Sequence, residues 1–360
     1  MADFKTLTDK LIVSYAKSEL SKAHKTAENV NYIQDVARVP LINSIHSSVD
    51  YLRPHKDSAR IDIALDKIDL AKIYANVDKL EKDSNRDPAL RYDDLVVKEL
   101  LRYFKHDFFK WVNVPECPCG SDRVVSTGAM RHPPGRPNPD QISIIEMYKC
   151  QNCSRDIQFP RINNAVSLLD SRRGRCGEWV NAFLLLLEAL IGEGKDRVRY
   201  VWNPEDHVWC EYYSSGLKKW VHLDPCEAVF DEPRLYCENW GKKMSFVFGF
   251  NDNTVVDLSD KYITKEKKIL TALDPKPVAS TVAWLNAKKL VSFYQQARAQ
   301  GASKEESLRQ VYHEVIVPRN RELLVENKAS AATATSTRSD IPQGRQTGSA
   351  EWTKARGESG

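Results

Sequence analysis

Apolar residues recur every three or four positions through much of the first hundred residues, a period that predicts helices. Phe4, Leu7, Leu11, Tyr15 and Leu20 fall on one side of such a helix, with lysines and acids on the other. That stripe can cover this chain's own core or face a partner. The stretches "IDIALDKIDLAKIYANVDKL" and "YDDLVVKELLRYFKHDFFKWVN" keep the same period. A more apolar helix is predicted in "RRGRCGEWVNAFLLLLEAL", residues 172–190, where Trp179, Phe183, Leu186, Leu187 and Leu190 repeat at helical spacing and Cys176 stands at the start. The pattern then changes to alternation. "VRYVW", "HVWCEYY" and "KKWVHLDP" read as strands joined by turns at "NPED" and "SSGL", and "SFVFGF" and "TVVDL" as two short further strands. A last helical region covers residues 281–325, and residues 326–360 are a low-complexity tail expected to be disordered.

Composition narrows the class. A chain of 360 residues that is 42% hydrophobic can bury one large core or two ordinary ones. With 53 Lys+Arg against 49 Asp+Glu the net charge is only +4, and no long basic block occurs, which argues against a nucleic-acid partner. The N-terminus has no apolar run of secretory length and no later stretch reaches the length of a membrane span, so a soluble protein of the cytoplasm, and also of the nucleus, is expected. In such a protein eight cysteines point to metal binding or catalysis rather than to disulfides. Four of them, Cys117, Cys119, Cys150 and Cys153, form two close pairs on either side of the Gly/Pro-rich "HPPGRPNPD". Two cysteine knuckles are how a structural zinc is usually held. "CQNC" has the usual spacing, whereas "CPCG" is one residue short. Either the backbone around Pro118 adjusts and brings Cys117 to the metal, or an oxygen, a nitrogen or a water completes the shell.

Cys176 is the candidate nucleophile. A helix N-terminus favours an anion, and Arg172, Arg173 and Arg175 add positive charge, so the thiolate is expected to form readily. Gly174 and Gly177 leave room for another molecule to approach the sulfur. A nucleophile of this kind needs a base and a group that orients it. If "SSGL" is a hairpin loop, Tyr213 pairs with Lys218 and His207 faces Asp224, with Cβ atoms roughly 4.5–5.5 Å apart, so the carboxylate reaches one imidazole nitrogen and leaves the other free. His222 competes for the role of base, but it lies two positions from Asp224 on the same strand face and opposite Trp209. A slip of one residue would turn His207 to the other face.

A cysteine on a helix followed by a histidine and an aspartate on successive strands is the order of a transglutaminase-like site. "RRGRCGEWVNAF", "VRYVWNPEDHVWCEYY", "KKWVHLDPCEAVFDEP" and "NWGKKMSF" together resemble the cytoplasmic peptide:N-glycanase family, and "VVKELLRYFKHDFFKWVN" with the tail "GSAEWTKARGES" resembles its fungal members. The resemblance covers nearly the whole chain. It implies an α+β fold: a transglutaminase-like (papain-like) core with an antiparallel sheet, a helical N-terminal part and a zinc-binding insertion. The implied organisation is a docking helix at 1–30, a catalytic domain at 31–325 with its zinc segment at 112–160, and the tail at 326–360. The implied activity is an amidase that removes N-linked glycans from misfolded glycoproteins returned from the endoplasmic reticulum. By position Cys176 is the nucleophile, His207 the general base and acid, and Asp224 the orienting carboxylate. Trp111 matches an oxyanion donor or ordinary core. Glu227 matches a position that touches the core sugar pair, though it reads equally as a solvated surface acid. Trp209 is a cleft wall or packs beneath the sheet. The implied partners are the glycoprotein substrate and a ubiquitin-receptor shuttle of the excision-repair and proteasome pathway, docked by the N-terminal helix. A cross-linking transglutaminase or a cysteine protease would use the same three residues. A silent transglutaminase-like scaffold is the remaining alternative.

Overall fold

The computed structural model describes residues 2–28, 39–192, 196–269 and 275–322; the tail expected at 326–360 lies outside them. The described residues divide into two compact units, one within 1–51 and 243–322, the other within 52–242.

The first unit is largely helical. The helix Ala2–Ala27 packs on the helices Pro275–Ala299 and Lys304–Gln310, and Ala16, Leu20 and Ala23 share a buried cluster with Leu290, Leu308, Val311 and Val315. A bidentate pair from Arg309 to Asp9, 2.7 Å at both nitrogens, ties the last of these helices to the first. The small side chains Ala16 and Ala23 permit close approach of the helix axes. The expected stripe is not one face: Leu20 is buried in this cluster, whereas Phe4 is 76% exposed, Leu7 54%, Leu11 62% and Tyr15 44%, the Tyr15 ring meeting Tyr312 edge-on at 6.2 Å.

The second unit holds every candidate site residue. Its helices Ser58–Asp66, Leu70–Glu81 and Tyr92–Tyr103 occupy the region where the three-to-four-residue period predicts them. Two short strands, β1 (Lys110–Trp111) and β5 (Arg173–Gly174), pair in parallel and set Trp111 beside Gly174. Between them an antiparallel sheet is built from β2 (Val124–Arg131), β3 (Ile144–Cys150) and β4 (Asp156–Pro160). The helix Cys176–Leu187 follows β5, and Val180 and all six residues from Ala182 to Leu187 are buried, an all-round apolar helix that can only sit inside a core. Each fully buried leucine contributes roughly 1.5–3 kcal/mol. The helix packs on the meander β6 (Val198–Asn203), β7 (His207–Ser214), β8 (Lys219–Asp224) and β9 (Val229–Phe230). In the first unit β10 (Phe248–Phe250) and β11 (Val255–Asp257) form a further antiparallel hairpin.

The β7–β8 register differs from the expected one. Tyr213 pairs with Trp220 and Ser214 with Lys219, so the loop is residues 215–218, with Lys218 in the left-handed region at φ 56°. The pairing is displaced by two residues, and extending it places Trp209, not His207, opposite Asp224. A two-residue displacement preserves the faces because side chains alternate with period two. His207 is therefore a diagonal neighbour of Asp224 on the same face. His222 lies opposite Glu211 rather than Trp209.

Candidate active site

Cys176 is the first residue of its helix and is half-buried. The backbone N–H of Arg175 just before it donates to Glu178 Oε2 at 3.1 Å, an acidic residue in the first turn capping the helix end. The two flanking glycines do different work. A Cβ on Gly174 would lie 2.3 Å from Glu178 Cβ, so that glycine accommodates the cap, whereas nothing lies within 4 Å of a Cβ on Gly177. Arg175 lines the cavity beside Cys176, as expected, but it is only 1% exposed and its charge is met by a buried partner. Its guanidinium bonds Glu146 at 2.9 Å and the Tyr148 hydroxyl at 2.7 Å, and donates to the carbonyls of Val112 and Asn113. Arg172 stacks on the Phe108 ring at 4.4 Å. Both arginines brace the loop that carries Cys176.

His207 opens β7 after a three-residue turn whose last member, Asp206, has φ 58°. Its Nε2 lies 3.4 Å from Asp224 Oδ2. Asp224 is wholly buried and held on both oxygens. Oδ1 accepts from the backbone N–H groups of Cys226 and Glu227, and Oδ2 accepts from the Tyr236 hydroxyl at 2.9 Å. Burial alone would raise this carboxyl's pKa; the hydrogen bond and charge of His207, then the charge of His222 and the Tyr236 hydroxyl, outweigh it and hold the group below the usual carboxylate value. Aromatic rings enclose the imidazole, with Tyr236 edge-on at 4.6 Å, Trp209 at 5.6 Å and Trp240 at 5.7 Å.

A cavity of about 110 Å³ lies between the helix start and β7. Cys176, Gly177 and His207 line it together with Arg161, Arg175, Trp202 and Asp206. Trp209 does not form a cleft wall. It is 0% exposed and packs behind His207 against Tyr236, the alternative left open by the strand pattern. Glu227 is not a solvated surface acid: it is buried and paired with Lys105 Nζ at 3.1 Å, away from the cavity lining. The Trp111 indole N–H is directed at Asn113 Oδ1, 2.7 Å away, and its ring packs against Trp179. Tyr236 and Trp202 had no signal beyond being aromatic, since nothing near them in sequence marks their partners.

The four paired cysteines converge, and their sulfurs all lie within 4.8 Å of one another. Cys119 Sγ is 3.3 Å from Cys117 Sγ and 3.6 Å from Cys150 Sγ, and Cys117 Sγ is 3.5 Å from Cys153 Sγ. Four thiolates at about 2.3 Å from a tetrahedral metal are about 3.8 Å apart, so this donor set can hold a metal ion. The short "CPCG" spacing is accommodated by a turn in which Gly120, at φ 75°, donates its N–H to the Cys117 carbonyl at 2.8 Å, with Pro118 at the second position. Cys117 is thus inside the cluster. The backbone N–H groups of Cys153 and Asn152 point at Cys150 Sγ and lower its pKa, while, against the backbone N–H of Cys119, burial and the neighbouring thiols push Cys117 up. All eight cysteines are thiols, and no helix among the described residues is long and apolar enough to cross a membrane.

Two protein-family models match the chain, a transglutaminase-like superfamily core over residues 130–225 and a Rad4 transglutaminase-like domain over residues 192–307. The first match contains Cys176, His207 and Asp224. The mixed helices and antiparallel sheets described above have the expected α+β, transglutaminase-like class. A solved structure of Rad4–Rad23 bound to a 6-4 photoproduct lesion aligns with 11% identity and a TM-score of 0.42, covering 81% of this chain and 58% of that one. Curated relatives are much nearer. A peptide-N(4)-(N-acetyl-beta-glucosaminyl)asparagine amidase of Debaryomyces hansenii is 48% identical, with 99% of this chain and 97% of the relative covered. The Saccharomyces cerevisiae protein of the same name is 38% identical, covering 99% of this chain and 97% of the relative. Identity of that order along the full length of both sequences makes this chain a member of the peptide-N(4)-(N-acetyl-beta-glucosaminyl)asparagine amidase family.

Proposed function

We propose that the chain hydrolyses the side-chain amide of glycosylated asparagine in misfolded N-glycoproteins, with Cys176 as nucleophile, His207 as general base and acid, and Asp224 as the carboxylate that orients His207. The observation that carries the reading is that Cys176 and His207 line one cavity while Asp224 stands behind the imidazole. With Nε2 turned to Asp224, Nδ1 is the nitrogen left for the thiol. His207 takes the thiol proton and the thiolate attacks the amide carbonyl carbon. The C–N bond then breaks as His207 returns its proton to the departing glycosylamine. Water, deprotonated by His207, hydrolyses the thioester, leaving aspartate and the free thiol. The backbone N–H of Cys176 is the proposed oxyanion donor. Trp111 adds to it only if its indole leaves Asn113. Incubation with a denatured glycoprotein tests the reading: free glycan with aspartate at the former sequon is expected. Ammonia with cross-linked protein, or cut peptides, would replace it by a transglutaminase or a protease.

A cavity of about 110 Å³ admits a side-chain amide but not a folded surface. An unfolded glycoprotein is therefore expected to lose its glycans at least tenfold faster than its native form. Equal initial rates would contradict this.

The cysteine cluster is proposed to hold one structural zinc, whose bound form supplies folding energy and no reaction step. Compartment and pathway follow from the same reading: eight thiols suit the reducing cytoplasm and nucleus, where glycoproteins exported for degradation would be met. The exposed stripe Phe4, Leu7, Leu11 and Tyr15 is the proposed docking face for a ubiquitin-receptor shuttle. Ala16, Leu20 and Ala23, which face the unit's own core, are spared by Leu7→Glu with Leu11→Glu. That double variant is expected to weaken shuttle binding at least tenfold and leave the melting temperature and the hydrolysis of a free glycopeptide unchanged. Unchanged binding in a titration would remove this face from the interface.

A further inference from the structure

His222 looks like a spare histidine: it is 0% exposed, and its strand partner is Glu211 rather than a group in the cavity. Its Nε2 lies 2.8 Å from the Tyr236 hydroxyl, which in turn donates to Asp224 Oδ2 at 2.9 Å. A phenol has one proton to give. Since Tyr236 gives it to Asp224, His222 must donate from Nε2 to the tyrosine oxygen, and this fixes its tautomer. The result is a buried chain, His222 N–H to Tyr236 O, Tyr236 O–H to Asp224 Oδ2, and Asp224 Oδ2 facing His207. His222, Tyr236 and Asp224 are all buried, and in that low-dielectric setting each donor polarises the next.

We infer that Tyr236, braced by His222, is a positioning residue for the Asp224–His207 pair. Three observations support it. The two backbone donors, Cys226 and Glu227, occupy only Oδ1 and would leave the carboxylate free to turn about its Cβ–Cγ bond. The Tyr236 hydroxyl donates to the oxygen that faces His207 and so fixes that rotation. The Tyr236 ring lies edge-on to the imidazole at 4.6 Å and limits its swing. Tyr236 thus sets both partners of the pair without touching the cavity. The turn Leu235–Asn239 that carries it is wound more loosely than an α-helix and aims the ring back under β7 and β8.

The inference rests on the amidase reading for its kinetic test, so a second readout that needs no glycan is included. Tyr236→Phe keeps the ring and removes the hydroxyl. It is expected to lower kcat on a glycopeptide roughly 10- to 100-fold with KM changed less than about twofold, the size of a lost hydrogen bond to a charged group. Iodoacetamide alkylation of Cys176 at about pH 6, below the ordinary thiol range, depends on a well-placed His207 and is expected to slow at least fivefold. His222→Gln, whose side-chain N–H can still reach the tyrosine oxygen, should retain more of both rates than His222→Leu, and this pair decides the matter if Tyr236→Phe fails to fold. Alkylation and kcat of Tyr236→Phe within twofold of wild type, or equal rates for the two His222 variants, would overturn the inference. Wild-type protein that alkylates readily but releases no glycan would remove the amidase reading instead, and leave Tyr236 to be judged on alkylation alone.

Discussion

Cys176→Ala is expected to abolish glycan release while the folded protein is left almost unchanged. Loss of the nucleophile closes the thioester route altogether, and in enzymes that work through a covalent intermediate such a change costs on the order of 10⁶-fold in kcat. The fold should tolerate it for a local reason. The helix end is capped by Glu178 on the backbone of Arg175, not by the thiol, and Cys176 is half-buried at the rim of a cavity. A stability change within about 0.5 kcal/mol, a shift of roughly 1–2 °C in melting temperature, is therefore expected. Activity within about tenfold of wild type would end the assignment of Cys176. Asp224→Asn is a less clean experiment. Both oxygens of Asp224 accept hydrogen bonds in a buried setting, so an amide nitrogen there meets donors and costs stability as well as orientation. The depressed pKa of Asp224 fixes the sign of its pH effect: its stabilisation is fully present above the unfolded carboxyl value, about 3.9, and is lost as the pH falls through the lower folded value.

Local features of the site were legible in the sequence to the extent that one element determined them. The helix start at Cys176 follows from apolar spacing that begins there. His207 reaches the face of Asp224 even though the hairpin register is displaced by two, because alternation fixes faces more firmly than it fixes pairs. What escaped depends on distant segments. Arg175 reads as a charge beside the thiol, yet its partner Glu146 lies 29 positions earlier on another sheet, and only that partner explains its burial. Tyr236 reads as one aromatic in a turn, with nothing local to link it to Asp224 or His222. The N-terminal helix shows a different limit. Leu20 reads as one stripe with Phe4, Leu7, Leu11 and Tyr15, but it is buried on the opposite face with Ala16 and Ala23, since packing against neighbouring helices also rewards small side chains that a hydrophobicity pattern weights lightly.

Removing the proposed zinc from the cysteine cluster is expected to disable the active site, although the cluster and the active site share no residue. The three-stranded sheet has little core of its own: among the described residues its buried cluster is Cys117, Val124, Tyr148, Cys150 and Phe159, and two of those belong to the cysteine set proposed to hold the zinc. A module this small usually needs a staple. Its strand β3 ends at Cys150 and carries Glu146 and Tyr148, and these hold the residue next to the nucleophile. Glu146 bonds Arg175 through both oxygens at 2.9 Å and also accepts from Arg161, which forks onto Glu178, the cap of the Cys176 helix. Tyr148 donates to Glu146 and accepts from Arg175. If β3 loosens, Arg175 is left as a buried cation without its anion, a loss of about 3–5 kcal/mol, a large share of a domain's stability. Chelation of zinc-loaded protein should therefore lower the melting temperature by more than about 5 °C and slow alkylation of Cys176 in step with metal loss, followed by elemental analysis. Cys150→Ser, at a buried ligand, should prevent folded protein from accumulating, and Cys119→Ser, at an exposed one, should be milder. Metal-free protein with unchanged melting temperature and unchanged Cys176 alkylation would show that β3 holds Arg175 without the metal, and the proposed zinc would then have no structural role.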